Sequence, residues 1–401
     1  MGMRVLHVYN RQRGGGGAGS ACEGTISASV AGGVEVARFA RDSKNLNDNL
    51  RGRVQAFMGG IYGRSAANEF VTVLREFRPD VVHAHELYPL ISPWIFPRCT
   101  AARIPVVMSC YDYRLTCPIA THFQGGHLCH RCLGGREYWA FLENCRSSLP
   151  ASLGFALRSW LARRKGLVTR HVSRFLVLSE FSKRWLIEKA ELAPERVIVN
   201  APTFPIPESP VPEPAAGRYI GFTGRSVAEK GLDVLLAAAK KARLPVKVAW
   251  SSPVPLVADR GSSVSFELTD SHEKLAAFYR GARVVVMPSL WRETFGIVAA
   301  EAMSHGIPII ASRIGALPEL VEDEVTGLLF GTGDWNELAD KLLRVWNDRE
   351  LCRRLGAAAR HRAVDRCSQE VHFGRLMEVY RDILGAPDAR SRASVSPEGP
   401  P

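Results

Sequence analysis

Long apolar runs are missing from this chain of 401 residues. The longest, such as 284–288 (VVVMP), are far too short to cross a bilayer. Residues 1–9 lack the h-region and cleavage site of a signal peptide and read as a first strand. Gly2 opens no myristoylation signal, because Leu6 stands where Ser or Thr is needed. With no export signal, the expected location is the cytosol. Aromatics make up only 8% of the chain, and few of them are interleaved with the cations. No nucleic-acid motif is present, so nucleic acid is not an expected partner. Nine cysteines in a reducing compartment are more readily free or metal-bound than paired.

What the chain does have is ordinary globular material, with 46% hydrophobic and 23% charged residues, enough for two or three domains. The net charge of +12 is one-sided. Residues 1–200 hold 27 Lys+Arg against 15 Asp+Glu, which accounts for the whole excess, and the remainder sums to zero. Such a half is either a solvated basic surface or one that attracts an anionic surface.

Short apolar strands alternate with helical patterns. Strands are expected at Arg4–Tyr9, Val81–His85, Pro105–Ser109, Phe175–Leu178 and Val197–Val199, with helices such as Asn68–Phe77 and Ser182–Lys189 among them. Residues 201–217 are proline-rich, lack periodicity and read as a linker. The alternation then restarts with Tyr219–Phe222, Val246–Trp250, Val284–Pro288, Pro308–Ser312 and Gly327–Phe330, and with helices such as Gly231–Ala242 and Gly296–Ser304. This pattern predicts an α/β protein of two doubly wound, Rossmann-like domains facing each other across a cleft. The expected divisions are a domain over 1–200 with a cysteine-bearing insert at 111–150, the linker, a domain over 218–365, a terminal helix over 366–386 and a disordered tail over 387–401.

Two motifs of the second half carry chemistry. Arg225 and Lys230 follow the first strand, with Gly224 before them and Gly231 opening a helix. Two cations beside a helix N-terminus make a pyrophosphate site. Further on, a strand ends at Pro288 and a polar turn leads into a helix at Phe295-Gly296, with Glu293 and Glu301 separated by seven residues. Carboxylates and free backbone N–H groups then share one strand-end crevice, which suits a nucleotide-linked sugar. Read singly, each of these residues is an ordinary loop charge or solvent-facing helix residue; their joint order and spacing favour the site.

Gly224-Arg225, Glu229-Lys230-Gly231, Met287-Pro288-Ser289, Glu293-Thr294-Phe295-Gly296, Glu301-Ala302, Gly306-Ile307-Pro308, Gly315 and Pro318-Glu319, with Gly327–Phe330 beyond, resemble the donor half of the family 4 retaining glycosyltransferases. The match is specific over about 218–365 and looser over 1–200, where Asp80–His85 and Ser179–Ser182 also fit. The resemblance implies a GT-B fold and a nucleoside-diphosphate sugar donor. It implies that Arg225 and Lys230 hold the diphosphate, Glu301 the ribose hydroxyls and Glu293 the transferred sugar, with Thr294, Phe295 and Gly296 supplying close backbone contacts. The chain has no Asp-x-Asp. Arg225 and Lys230 would stand in for the metal that such a motif holds, so no catalytic cofactor is expected.

Five other features stand apart from these motifs. The glycine run 14–17 after the first strand is either a flexible loop or, by resemblance, the place where Gly16 and Gly17 bring backbone toward the donor. In Tyr111-Asp112-Tyr113, Tyr111 replaces the histidine of the family's His-Asp-Tyr. A tyrosine can donate a hydrogen bond to a sugar but is a poor base, with a reference pKa of about 10. His85 is an acceptor-side polar candidate, or a hydrogen-bonded strand-end histidine. Cys117, Cys129, Cys132 and Cys145 have a spacing that suits a structural zinc, with His122, His127 and His130 as substitutes, or are four idle thiols. Residues 153–174 interleave apolar and basic side chains at helical spacing, which fits either a core-packed helix or one lying on anionic lipid.

The reading these features support is a retaining, metal-independent hexosyltransferase of GT-B fold. It would pass sugar to a glycan or lipid-linked acceptor of the cell envelope or an exopolysaccharide, in the cytoplasm or at the inner face of the membrane. A nucleotide-sugar epimerase on the same scaffold would need no acceptor. A non-catalytic basic protein binding membrane or nucleic acid would tolerate loss of Glu293 and Glu301.

Overall fold

The computed structural model describes residues 2–11, 16–43, 46, 50–208, 213–225, 227–250, 263–269 and 271–385. The expected tail over 387–401, Gly14 and Gly15 of the glycine run, and 209–212 of the linker lie outside them.

Strands β1 (Arg4–Arg11), β2 (Glu35–Asp42), β3 (Val81–Ala84) and β4 (Val106–Cys110) open the chain. A small antiparallel hairpin, β5 (Phe123–Gln124) and β6 (His127–Leu128), sits in the insert. Strands β7 (Arg174–Val177) and β8 (Val197–Val199) complete a parallel sheet ordered β2-β1-β3-β4-β7-β8. After the linker come β9 (Tyr219–Thr223), β10 (Val246–Trp250), β11 (Val264–Leu268), β12 (Ala282–Met287), β13 (Ile309–Ser312) and β14 (Gly327–Phe330). They form a second parallel sheet ordered β11-β10-β9-β12-β13-β14.

The strands with continuous apolar runs are buried over their whole length, as parallel strands covered on both faces must be: β3, β4, β12, β13 and β14 expose no residue. In the second sheet the chain leaves β9 on one side for β10 and β11, then returns to the other side for β12. That reversal leaves a crevice between the loops that follow β9 and β12. Both loops carry the residues singled out above.

The two lobes meet closely. One apolar cluster joins Tyr9, Ala21, Cys22, Ile26, Tyr111 and Leu178 of the first lobe to Phe295, Ala299, Ala300 and Leu317 of the second. The helix Gln369–Gly385 packs on the first sheet, with Leu376, Val379, Tyr380 and Ile383 against Val5, Val81, Val107 and Leu176. Arg174 pairs with Asp382 at 2.7 Å along the same contact.

The helix expected within 153–174 runs instead from Leu149 to Arg164. It stops where Lys165-Gly166 follows: Gly166 takes φ 61°, and the chain then turns into β7.

Candidate active site

Lys230 closes a short helical turn after β9, and Gly231 follows in the left-handed region at φ 68°. A Cβ at Gly231 would lie 1.9 Å from the Pro288 carbonyl oxygen, so only glycine lets the β9 and β12 loops touch here. The Leu290 N–H donates to the Glu229 carbonyl at 2.8 Å and ties the loops together.

This seam brings three expected and unexpected groups to one point. Lys230 Nζ donates to Glu293 Oε1 at 2.7 Å, and Ser289 Oγ donates to the same oxygen at 2.7 Å. Glu293 is buried, with its side chain 6% exposed. Burial alone would raise its pKa; the Lys230 charge and the hydrogen bonds from Lys230 and Ser289 outweigh that and hold it below the usual carboxylate range. Glu293 is therefore an anion at neutral pH, with one oxygen committed to its partners. Its backbone is fixed too: the Ala316 N–H donates to the Glu293 carbonyl at 2.9 Å, and a Cβ on Gly315 would come within 2.5 Å of the Glu293 backbone.

Gly296 follows at φ 101° and starts the helix Ile297–Ser304, whose first residue meets Gly17 of the first lobe. The first lobe supplies the opposite wall. Thr294 Oγ1 donates to the Tyr111 carbonyl at 2.8 Å, while Ser179 Oγ and Ser182 Oγ donate to the Thr294 carbonyl at 2.7 and 3.0 Å. Tyr113 donates to the Arg292 carbonyl at 2.7 Å, and Phe295 is buried in the shared apolar cluster. Gly16 caps the helix Gly17–Ala31 at φ 112°, and a Cβ on Gly17 would meet Ile297 Cδ1 at 3.1 Å. The glycine run thus delivers its last residues to the N-terminal turn of the second-lobe helix.

The remaining expected residues sit differently. Arg225, with Gly224 before it at φ 154°, is exposed and only loosely opposite Glu229, at 4.0 Å. Glu301 lies on the helix Ile297–Ser304 and accepts from the Tyr279 hydroxyl at 3.2 Å; burial lifts its pKa to about 7 despite that bond. Asp112 is taken up by Arg114, which reaches it at 2.9 Å through Nε and also meets Glu86 at 2.8 Å. It is not available as a free base.

Of the two readings of His85, the structure shows the hydrogen-bonded strand-end histidine: it is 1% exposed, and both ring nitrogens are engaged, Nδ1 with the Tyr111 hydroxyl at 2.7 Å and Nε2 with His7 Nδ1 at 3.0 Å. The Val-Val-His-Ala-His register of β3 turns His83 and His85 to the same side, where they stack at 4.2 Å. Burial holds both well below the usual imidazole range. His85 positions Tyr111, which is itself buried. His7, His83 and His85 form the one group of three ligand-type side chains within 4.8 Å of each other among the described residues. His83 spends its nitrogens on Tyr380 and Ser109, so this trio is a hydrogen-bonded strut, not a ligand set.

Cys117, Cys129, Cys132 and Cys145 all line one small cavity in the insert, together with His122. His122 is spent on Thr116 Oγ1 and the Cys129 carbonyl, both at 2.8 Å, and His130 accepts from Arg292 of the second lobe at 2.9 Å. The insert therefore braces the lobe that carries Glu293. Burial, and then the other three thiols, push Cys132 up to about 12.

Sequence reasoning missed Ser289 as a partner of Glu293 and missed the seryl pair Ser179 and Ser182 as the clamp on Thr294. The Ser-x-x-Ser spacing before an apolar helix was the available signal for the clamp.

The profile of the family described as "Glycosyl transferases group 1" matches residues 258–362, and that of "Glycosyl transferase 4-like domain" matches 16–203. D-inositol 3-phosphate glycosyltransferase of Mycobacterium tuberculosis is 36% identical over 191 residues, covering 43% of this chain and 38% of that protein. The chain thus spans well under half the length of such relatives. Among solved structures, sucrose-phosphate synthase from Thermosynechococcus elongatus superposes with a TM-score of 0.70 at 18% identity, over 96% of this chain and all of that one. Anabaena HepE, solved with UDP and glucose, gives 0.65 at 18% identity over 95% and 100%. With both lobes matched by their own family profiles and both sheets in the expected parallel order, the chain belongs to the group 1, family 4 glycosyltransferases and has their GT-B fold.

Proposed function

We propose that this protein is a retaining glycosyltransferase that moves a sugar from a nucleoside-diphosphate donor to an acceptor held by the basic first lobe. The observation that carries this reading is the buried Lys230–Glu293–Ser289 contact at the strand-order reversal, beside a helix N-terminus and walled by the other lobe. HepE was solved with UDP-glucose, which supports a donor of this class.

In the reaction the bond from the sugar C1 to the β-phosphate oxygen breaks and a bond from C1 to the acceptor oxygen forms on the same face. The acceptor's proton passes to the departing phosphate, so no strong protein base is required. This suits a site in which Asp112 is bound to Arg114 and Tyr111 is hydrogen-bonded to His85. Lys230, the helix N-terminus after Gly296 and, from the rim, Arg225 face the charge that grows on the leaving diphosphate. Anionic Glu293 accepts hydrogen bonds from the sugar hydroxyls and keeps Lys230 in place. Glu301 takes the ribose hydroxyls.

The raised Glu301 pKa gives a pH signature. The ionised carboxylate accepts two hydrogen bonds and the protonated one fewer, so donor KM should fall by up to about tenfold as pH rises from about 6 to 8. Glu301→Gln should flatten that profile. A KM independent of pH in the wild type would remove Glu301 from the ribose.

The cysteines that surround one cavity are four soft ligands with no carboxylate among them, which fits zinc. Their sulfurs are not within the 4.8 Å spacing of a tight group, so a bound ion would draw them inward. Pure protein should carry about one equivalent of zinc by elemental analysis, and Cys129→Ser with Cys132→Ser should lose it and destabilise the insert. Metal-free wild type of unchanged stability would end the assignment.

The acceptor is a glycan or a lipid-linked sugar of envelope or exopolysaccharide synthesis. Leu142, Leu149, Leu153 and Trp160 are exposed on the insert and the following helix, on the lobe that carries the excess positive charge. No described helix is long and apolar enough to cross a membrane. Peripheral contact predicts sedimentation with phosphatidylglycerol vesicles but not with phosphatidylcholine ones, reduced by Leu153→Ser with Trp160→Ser.

A further inference from the structure

Two residues before Glu293, the turn after β12 buries a polar group that the reading above does not use. Trp291 is 7% exposed, and its indole Nε1 is sealed from solvent with no hydrogen-bond partner among the described residues. An unpaired buried N–H is costly and rare, because folding strips it of water without replacing the lost bond. Packing alone would be served by phenylalanine, which carries no such donor.

The ring is firmly anchored. It belongs to the apolar cluster of the first lobe and meets the Tyr113 ring edge-on, with 6.0 Å between centroids and 89° between planes. Tyr113 also holds the next residue, through its 2.7 Å hydrogen bond to the Arg292 carbonyl. The ring and Glu293 face one ammonium: Lys230 Nζ lies 2.7 Å from Glu293 Oε1 and 5.1 Å from the Trp291 ring centroid. The indole N–H is near enough to Glu293 to favour its anion, after Lys230 and Ser289, yet completes no hydrogen bond to it.

Glu293 thus depends on a lysine that has a second task. In the reaction proposed above Lys230 also meets the donor's diphosphate, and an ammonium drawn toward phosphate loosens its hold on Glu293. A buried carboxylate that loses its partner is destabilised unless another donor is at hand. The idle N–H and the loosened carboxylate have complementary needs.

We propose that Trp291 is a positioning residue that takes over Glu293 when Lys230 turns toward the diphosphate: the indole N–H, idle beside the Lys230–Glu293 pair, becomes a hydrogen-bond donor to the carboxylate and holds it against the transferred sugar. The inference rests on the transferase reading above and adds a residue to it. Trp291 acts through Glu293 and does not itself touch the substrate. No covalent bond changes; one hydrogen bond is exchanged for another. Trp291→Phe keeps an aromatic face toward Lys230 and most of the packing while deleting the donor.

The full-length protein decides the matter in two arms. In the first, its eight tryptophans are labelled with nitrogen-15 and their indole N–H signals are followed at about pH 8, where an ordinary carboxylate is ionised. The signal lost in Trp291→Phe, and likewise in Trp291→Tyr, is that of Trp291, so one folded variant suffices. Saturating UDP should move it downfield in the wild type, as a new hydrogen bond does. In Lys230→Ala it should already lie downfield without UDP and move little further with it, because Glu293 has no lysine left to lose. Adding Glu293→Met to Lys230→Ala should abolish that downfield position. A signal unmoved by Lys230→Ala, or moved equally with Glu293→Met present, overturns the proposal, and neither comparison needs a nucleotide. An equal response to UDP with and without Lys230 also overturns it, since the donor itself would then be the partner. A wild type that binds no UDP falls on the transferase reading and leaves the nucleotide-free comparisons to judge Trp291.

Rates give the second arm. At saturating donor, Trp291→Phe should lower kcat about tenfold and leave donor KM within about twofold, the mark of an interaction made after the donor is bound. In Lys230→Ala the same substitution should cost at least as much again. An unchanged kcat, or a raised donor KM at full kcat, overturns the proposal and returns the ring to packing.

Discussion

Lys230→Ala will lower sugar transfer by about two to three orders of magnitude. A fixed donor aimed at developing charge is worth about 3 to 4 kcal/mol of transition-state stabilisation. The proposed function gives Lys230 that position, and Lys230 also pairs with Glu293, 2.7 Å away in a buried site. The two roles can be separated. If Lys230 only holds Glu293, then removing it from Glu293→Gln should cost little, because the carboxylamide needs no counter-ion. If it also meets the diphosphate, Lys230→Ala will cost about as much in that background as in the wild type. The account predicts the second outcome, read from kcat/KM in a double-mutant cycle. The same variant should raise the Glu293 pKa, since burial then acts unopposed by the lysine. At saturating donor, the residual kcat of Lys230→Ala should therefore fall as the pH is lowered over a range in which the wild-type kcat does not change.

The second large effect comes from a backbone position. Gly231→Ala should destabilise the second lobe by about 3 kcal/mol, combining the left-handed conformation with overpacking. The methyl would sit 1.9 Å from the Pro288 carbonyl, a backbone atom that cannot swing aside. Relief requires the β9 and β12 loops to part, and those loops hold Lys230 on one side and Ser289 and Glu293 on the other. Activity should fall by more than the loss of folded protein explains. Gly374→Ala is the matched control: its Cβ would meet nothing within 4 Å, and it lies in the interior of the helix Gln369–Gly385. That variant should gain up to about 1 kcal/mol from helix propensity and keep full activity. Calorimetric unfolding and initial rates of the two variants give the comparison.

Where a strand is a continuous apolar run, its place in the sheet was legible in the sequence, as with β12 and β13. Strand β2 was not: Glu35-Val-Ala-Arg-Phe-Ala-Arg-Asp42 carries charges throughout, and it lies at the edge of the first sheet, where only one side needs a neighbour. The helix Gly17–Ala31 was hidden by its own composition. Glycine and serine dominate its start, yet Ala21, Cys22 and Ile26 are buried against the second lobe, and tertiary packing overrides weak propensity.

The candidate site divides the same way. Lys230 and Glu293 were recoverable because each sits at a strand end in a family-like string. Their contact was not, since 63 residues and two loops separate them. His85 stayed open in the sequence because a histidine at a strand end reads equally as exposed or buried, and only the neighbouring His7 and Tyr111 decide. Arg158 is the converse. Its flanks, Phe155-Ala-Leu before and Ser-Trp-Leu161 after, already place a cation on an apolar face, but its burial between the Phe155 and Tyr88 rings is a fact of three dimensions.

The central claim is that the second lobe's cations hold the donor's diphosphate beside Glu293. Calorimetric titration of UDP into wild type and into the Arg225→Ala, Lys230→Ala double variant tests it most directly, with uridine as the uncharged control. The account predicts that the double variant binds UDP at least about a hundredfold more weakly, as expected for the loss of two charge-assisted contacts, with uridine binding unchanged. Equal UDP affinity in the two folded proteins would contradict it.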